Sequence, residues 1–169
     1  MIQLPLETER LRIRPFVPSE DAEAMHELWS DPEAMRFVPG GAQQTVDGTR
    51  ERLQAAGERA TGGWGFWALE EREARVVGGA GLFPLAWQEP EIELAYHVVP
   101  SAWGRGYATE AGAALLDAAW RTGLDHVVAV AFEENVASTR VMQKLGMRFD
   151  GHVAYRGFDA VRYLIERPA

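Results

Sequence analysis

A chain of 169 residues, 47% hydrophobic and 25% charged, is long enough to bury a real core and too evenly mixed for a disordered tail or a fibre. Its formal net charge of −8 argues against a general nucleic-acid binder and suits cationic partners such as amines. The absence of cysteine excludes disulfides, thiolate metal sites and a cysteine nucleophile.

The four histidines, His26, His97, His126 and His152, show no metal-ligand spacing, so no metal is expected. No apolar run approaches a membrane span, and none is flanked as a signal peptide is. These features predict a cytoplasmic protein of one domain over residues 1–169. It is expected to engage neither membrane nor nucleic acid, as a monomer or a homodimer.

Taken in chain order, "LRIRPF" alternates Leu11 and Ile13 with arginines and reads as an edge strand ending at Pro15. "PSEDAEAMHELW" reads as a helix with Ser19 as N-cap and Glu20 and Asp21 at the positive end of its dipole. Ala22, Met25 and Trp29 recur on its buried face, and Pro32 interrupts the pattern. "VPGGAQQ" is a loop, and "TVDGTRERLQAAGERA" is a second, polar helix. Three strand signals follow: "GWGFWALEE" and "ARVVGGAGLF" as a hairpin, then "EIELAYHVV", which ends at Pro100.

Thr109 to Thr122 is helical, with Glu110, Asp117 and Arg121 on one narrow polar stripe, as in a helix buried against a sheet. "HVVAVAF" is a short apolar strand. "NVASTRVMQKLG" is a helix that Asn135 can cap and Gly146 can close, and two strands end the chain. The order predicts an α/β fold: a mixed sheet of about seven strands flanked by helices, antiparallel early and with a parallel crossover late.

The joint "WGRGYAT" leads from strand to helix. Backbone N–H groups at a helix start have no partner inside the helix and carry partial positive charge. Gly104 and Gly106 allow close backbone approach, and Arg105 adds a full charge, which together suit a phosphate or pyrophosphate. The glycines alone fit a tight turn equally well. The segment is neither a dinucleotide fingerprint nor a P-loop. Asn135 and Ser138, one helical turn apart, would sit near the same sheet edge, where ligands bind in such sheets. Asn135 reads equally as a plain N-cap, and Ser138 as a solvated residue.

The ordered segments "LETERLRIRPFVPSEDAEAM", "AYHVVPSAWGRGYATEAGAALLDAAW" and "ENVASTRVMQKLGMRFDG" resemble the GNAT N-acetyltransferase superfamily, in particular its RimJ/RimL-type branch. The resemblance spans nearly the whole chain and implies the GNAT fold and acetyl-CoA as cosubstrate. The family's pyrophosphate loop falls on Trp103 to Ala108, where Gly106 and Ala108 match and Trp103 replaces the usual Gln or Arg. The resemblance implies that amides of Gly104, Arg105, Gly106, Tyr107, Ala108 and Thr109 hold the pyrophosphate. It assigns Val98 and Val99, at the strand end, to the pantetheine arm together with Asn135, and Lys144 to the far end of the cofactor. Many members carry a tyrosine seven residues after the asparagine, as acid for the departing thiolate. Met142 stands there, which leaves Ser138 as the nearest alternative.

With no cysteine, direct attack of a neutral amine on the thioester is the simplest route. At pH near 7.5, deprotonating a lysine-like amine costs roughly 4 kcal/mol and an α-amine under about 1. Glu93 is the candidate base; Glu91 and His97 share its face if the strand is regular. A backbone N–H near Val98 would polarise the thioester carbonyl. The expected activity is acetyl transfer to a primary amine, either a peptide or protein N-terminus or a small molecule. The competing readings are a non-catalytic CoA-binding sensor or scaffold of the same fold, and a nucleotide-phosphate enzyme.

Overall fold

The computed structural model describes residues 1–38, 40–60, 62–85 and 91–168. Pro39, in the predicted loop 38–44, and Ala169 lie outside the described residues. The elements are β1 (Leu6–Glu7), β2 (Leu11–Arg14), α1 (Pro18–Trp29), α2 (Val46–Arg59), β3 (Gly65–Glu71) and β4 (Val76–Pro84). They continue with β5 (Ile92–Val98), α3 (Tyr107–Arg121), β6 (His126–Ala131), α4 (Val136–Lys144), β7 (Arg148–Tyr155) and β8 (Phe158–Glu166).

Among the described residues the strands form one eight-stranded sheet in the order β1-β2-β3-β4-β5-β6-β8-β7. β5 and β6 pair in parallel, as the α3 crossover requires, and the other neighbours pair antiparallel. The mixed sheet, the β3–β4 hairpin and the late crossover follow the expected order. β1 is an eighth strand that two residues, with no periodicity to show, did not announce. It pairs Leu6 with Ile13 and Glu7 with Arg12, so β2 is an inner strand rather than an edge.

Two helix starts differ from expectation. α1 begins at Pro18 with Val17 at the N-cap and no side-chain cap, so Ser19 is already inside the helix. Proline suits a first helical position because its missing N–H would be unpaired there anyway. Asp21 reaches back instead: its Oδ2 accepts the Val17 N–H at 2.7 Å, and the Arg14 guanidinium clasps both its oxygens at 2.8 and 2.9 Å. α3 begins at Tyr107, two residues earlier than predicted, because Gly106 adopts a left-handed φ of 83° and turns the chain directly into the helix.

The core is continuous from Leu11 and Ile13 through Met25 and Trp29 to Leu94 and Leu115, all nearly inaccessible. Alternation along β5 decides what reaches each side. Leu94 packs toward α3, where a Cβ on Gly112 would lie 3.5 Å from Leu94 and 2.7 Å from Leu145. Tyr96, on the same face, reaches α4. Glu93, Ala95 and His97 point the other way.

Candidate active site

β5 bonds to β4 along its whole length, from Ile92 opposite Pro84 to Val98 opposite Gly78. Its register with β6 is set at Glu93 opposite Val128. Beyond that point Ala95 to Val98 on β5 and Val130 and Ala131 on β6 line a cavity of about 780 Å³, within the usual range for small-molecule sites. The cavity runs from the start of α3 and one face of α4 to the α1–α2 side of the sheet.

At one end stands the glycine joint. Gly104 and Gly106 have φ of 76° and 83°, where side chains are strained, and a Cβ on Gly104 would meet nothing within 4 Å. No side chain caps α3, so its first amides keep their partial positive charge toward the cavity. Gly104, Gly106, Tyr107, Ala108 and Thr109 line it. This open cradle of uncapped amides fits a pyrophosphate.

Arg105 points elsewhere, with Nη1 3.5 Å from Glu71 Oε1, and Tyr107 donates its hydroxyl to the same oxygen. The Trp103 indole N–H, half exposed, donates to Val98 O at 2.7 Å, tying the joint back to the end of β5. Val98 lines the cavity, whereas Val99 is buried and its N–H donates to Val77 O at 2.9 Å. Val99 therefore offers the cavity no free amide hydrogen.

The β1–β2 turn braces this joint. Glu110 Oε1 accepts from the Thr8 hydroxyl at 2.6 Å and the Arg10 amide at 2.8 Å, and its Oε2 accepts from Arg10 Nε at 2.7 Å. Arg10 Nη1 donates to Arg105 O at 2.8 Å, and the guanidinium lies 4.9 Å over the Tyr107 ring. Burial alone would raise the Glu110 carboxyl, but the hydrogen bonds from Thr8 and Arg10 outweigh it and hold it below its ordinary range.

Along α4, Asn135 caps the helix, its Oδ1 accepting from Ser138 N at 3.2 Å, and both residues line the cavity. Ser138 has a partner the sequence did not suggest. The Tyr96 hydroxyl donates to Ser138 O at 2.9 Å and shares a hydrogen bond with Ser138 Oγ at 3.1 Å. Burial pushes the Tyr96 phenol up to about 12, so it keeps its proton. Met142 is buried, and Lys144 stands exposed at the cavity's edge in the last turn of α4.

On the opposite face of β5, Glu93 is 4% exposed on the cavity wall and accepts from the Tyr155 hydroxyl at 3.1 Å. Burial, then the charge of Glu93, pushes the Tyr155 phenol up to about 12. Tyr155 ends β7, which β6 and β8 separate from β5 in the sheet, so no local signal in the sequence tied it to Glu93.

Glu91 does not share this position. It precedes β5, pairs bidentately with Arg162 at 2.7 and 2.8 Å, and lies 3.6 Å from His126. Both its oxygens are engaged by Arg162, and it does not line the cavity. His97 does line the cavity, 5.5 Å from the Phe66 ring, but burial and then the charge of Arg52 push its imidazole down to about 4. It stays neutral and weakly basic. Among the described residues no cluster of His, Asp and Glu could hold a metal ion.

An uncapped amide cradle, a slot between parted strands and a buried carboxylate on its wall fit an enzyme that takes an acyl group from coenzyme A. Residues 10–148 match the acetyltransferase (GNAT) domain family, and the chain belongs to it. It is 30% identical over 145 residues to an uncharacterized N-acetyltransferase, YnaD, of Bacillus subtilis, covering 85% of this chain and 82% of that protein. The solved structure of a GNAT-family acetyltransferase from Bacillus anthracis superposes with a TM-score of 0.83 at 28% identity, covering 96% of this chain and 98% of that one. RimL, a ribosomal-protein α-N-acetyltransferase solved with coenzyme A, shares the fold with a TM-score of 0.80 at 17% identity, over 97% and 98% of the two chains. The protein is an acetyl-CoA-dependent N-acetyltransferase.

Proposed function

We propose that this enzyme acetylates a primary amine by direct attack in a ternary complex, with Glu93 as the base. The observation that carries the reading is the placing of Glu93: buried, on the cavity wall, and steadied by the Tyr155 hydroxyl at 3.1 Å. The thioester supplies the acetyl group. The amides of Gly104 through Thr109 hold the pyrophosphate, and Asn135 and the Val98 backbone flank the pantetheine arm. A backbone N–H near Val98 polarises the carbonyl.

Glu93 accepts the proton of the attacking nitrogen, directly or through one water. Ser138 Oγ turns its proton from the Tyr96 hydroxyl, 3.1 Å away, toward the departing sulfur, while Tyr96 stays bonded to Ser138 O. The α-amine of a peptide or amino compound is the least costly nucleophile, because its pKa of about 8 leaves much of it neutral near pH 7.5.

Initial rates of CoA thiol release, with acetyl-CoA and a panel of primary amines, test the proposal. Intersecting double-reciprocal lines and no acetyl label left on the protein are expected. Parallel lines would overturn direct attack. Tight CoA binding without amine-dependent release would favour a sensor or scaffold.

A further inference from the structure

Resting on that reading for the attacking amine, we infer that the acceptor also carries a carboxylate, held by Arg52 and Arg156, with Arg59 beside them, on the Glu93 side of the cavity. The cavity wall reverses the sign of the molecule. The chain carries a net −8, yet Arg36, Arg52, Arg59, Arg140, Lys144 and Arg156 line the cavity against the carboxylates of Glu33 and Glu93.

Elsewhere arginines are mostly matched, as Arg10, Arg14 and Arg162 are to Glu110, Asp21 and Glu91. Arg52 and Arg156 make no ion pair with a carboxylate among the described residues. Arg52 is held by an aromatic ring instead, and Arg156 by the side chain of Tyr155, to which it also hydrogen-bonds. The Arg52 guanidinium lies 4.4 Å over Trp29, and that of Arg156 lies 5.5 Å from the Tyr155 ring.

The two are also near enough to feel each other. Burial first, then the charges of Arg156 and Arg59, pull Arg52 below its ordinary value while it stays charged. Gathered like charges repel, and a planar carboxylate between guanidinium forks relieves that repulsion with charge-assisted hydrogen bonds.

This cluster is separate from the cations that suit the cofactor. Arg140 and Lys144 belong to α4, on the face of β5 that Leu94 and Tyr96 occupy. Arg52 acts on His97, on the opposite face, and Arg156 adjoins Tyr155, whose hydroxyl touches Glu93. A group held there lies close to the nitrogen that Glu93 deprotonates. The carboxylate is therefore close to the amine: the α-carboxylate of an amino acid, or an acidic side chain just after a peptide N-terminus.

Matched acceptors test this. Each pair differs in one carboxylate: an amino acid against its amide, and a tripeptide with aspartate against asparagine in second place. The carboxylate member is expected to show kcat/KM at least ~10-fold higher, the size of a charged hydrogen bond. Whichever pair shows the larger ratio identifies amino acid or peptide as the source. Arg156→Gln, on an exposed turn, should bring that ratio toward one, as should Arg52→Gln, while Arg121→Gln on the outer face of α3 should preserve it.

A second readout is independent of turnover: calorimetric titration of N-acetyl amino acid into protein saturated with CoA, which keeps the probe out of the phosphate joint. Binding that is lost with the corresponding amide and in Arg156→Gln supports the carboxylate site even if no amine is acetylated. That result would sink the acetyl-transfer reading alone. Equal turnover of both members of each pair, or no binding beside CoA, overturns the carboxylate site and leaves acetyl transfer standing.

Discussion

At the scale of single residues, the chemistry divides across the two faces of β5. Glu93 and Tyr155 meet on one side, and Tyr96 and Ser138 on the other. Glu93→Gln keeps the shape and removes the base. Turnover is expected to fall by roughly 10²-fold or more, most at low pH, with acetyl-CoA affinity little changed. A wild-type rate across the pH range would make Glu93 structural. Tyr155→Phe is subtler. Losing a donor to the charged carboxylate disfavours that charge, so the acid limb of the kcat/KM profile should move to higher pH. An unmoved limb would separate Tyr155 from the base. Ser138→Ala should lower turnover by roughly 10- to 100-fold, the low end of general-acid effects, because a thiol of pKa about 8.5 needs little help in leaving. Tyr96→Phe should cost part of the same factor, and the double variant less than the product of the two, since they share one hydrogen bond. Full multiplicativity in chemistry-limited turnover would mean that Tyr96 and Ser138 act apart.

At the scale of elements, the joint before α3 works because something outside it fixes its shape. Gly106 supplies the turn, and the β1–β2 turn clamps it through Arg10 and Glu110, a hundred residues apart in sequence. Arg10→Ala should raise KM for acetyl-CoA about tenfold with kcat little changed, the value of one charged hydrogen bond. Equal losses in kcat and KM effects, or none, would leave the clamp structural only. Gly106→Val should weaken acetyl-CoA binding and also cost on the order of 1–2 kcal/mol of stability, because a branched residue at φ 83° is strained. Unchanged affinity in a folded variant would remove the joint from cofactor binding. Much of this was legible in the sequence, since Gly104, Gly106 and Asn135 are local signals: a left-handed turn and a cap are read from neighbours. The clamp was not, because Arg10 and Glu110 each look like a solvated charge until the sheet brings them together. Tyr96 and Tyr155 stayed hidden for the same reason, as strand residues whose polar ends find partners on other elements. Ser19 misled because the helix starts two residues sooner, at Pro18, and Glu91 because the regular alternation assumed for β5 begins only at Ile92.

At the scale of the whole molecule, an acidic protein keeps a positively lined cavity, and one buried group records the cost of that arrangement. His97 has its Nδ1 buried with no hydrogen-bond partner among the described residues, and burial and the nearby Arg52 push its imidazole down to about 4 from an ordinary 6.5. The folded protein thus binds fewer protons at this site than the unfolded chain between pH 6.5 and 4. Stability from His97 is fully present above 6.5, shrinks as pH falls, and is lost once pH passes below 4. At 1.36 kcal/mol per unit, the full span is about 3 kcal/mol at most, of which about 2 disappears between pH 7 and 5. Glu110, held below its ordinary carboxylate range, contributes stability that is lost only at lower pH, so the upper window isolates the histidine. Urea unfolding of the wild type and of His97→Gln, at pH 7 and at pH 5, measures the effect as a difference of differences. The variant's own packing cost then drops out. The wild type should lose about 2 kcal/mol more than the variant across that interval. Equal losses in the two proteins would mean that His97 titrates as it does in the unfolded chain, shifted neither by its burial nor by the charge of Arg52.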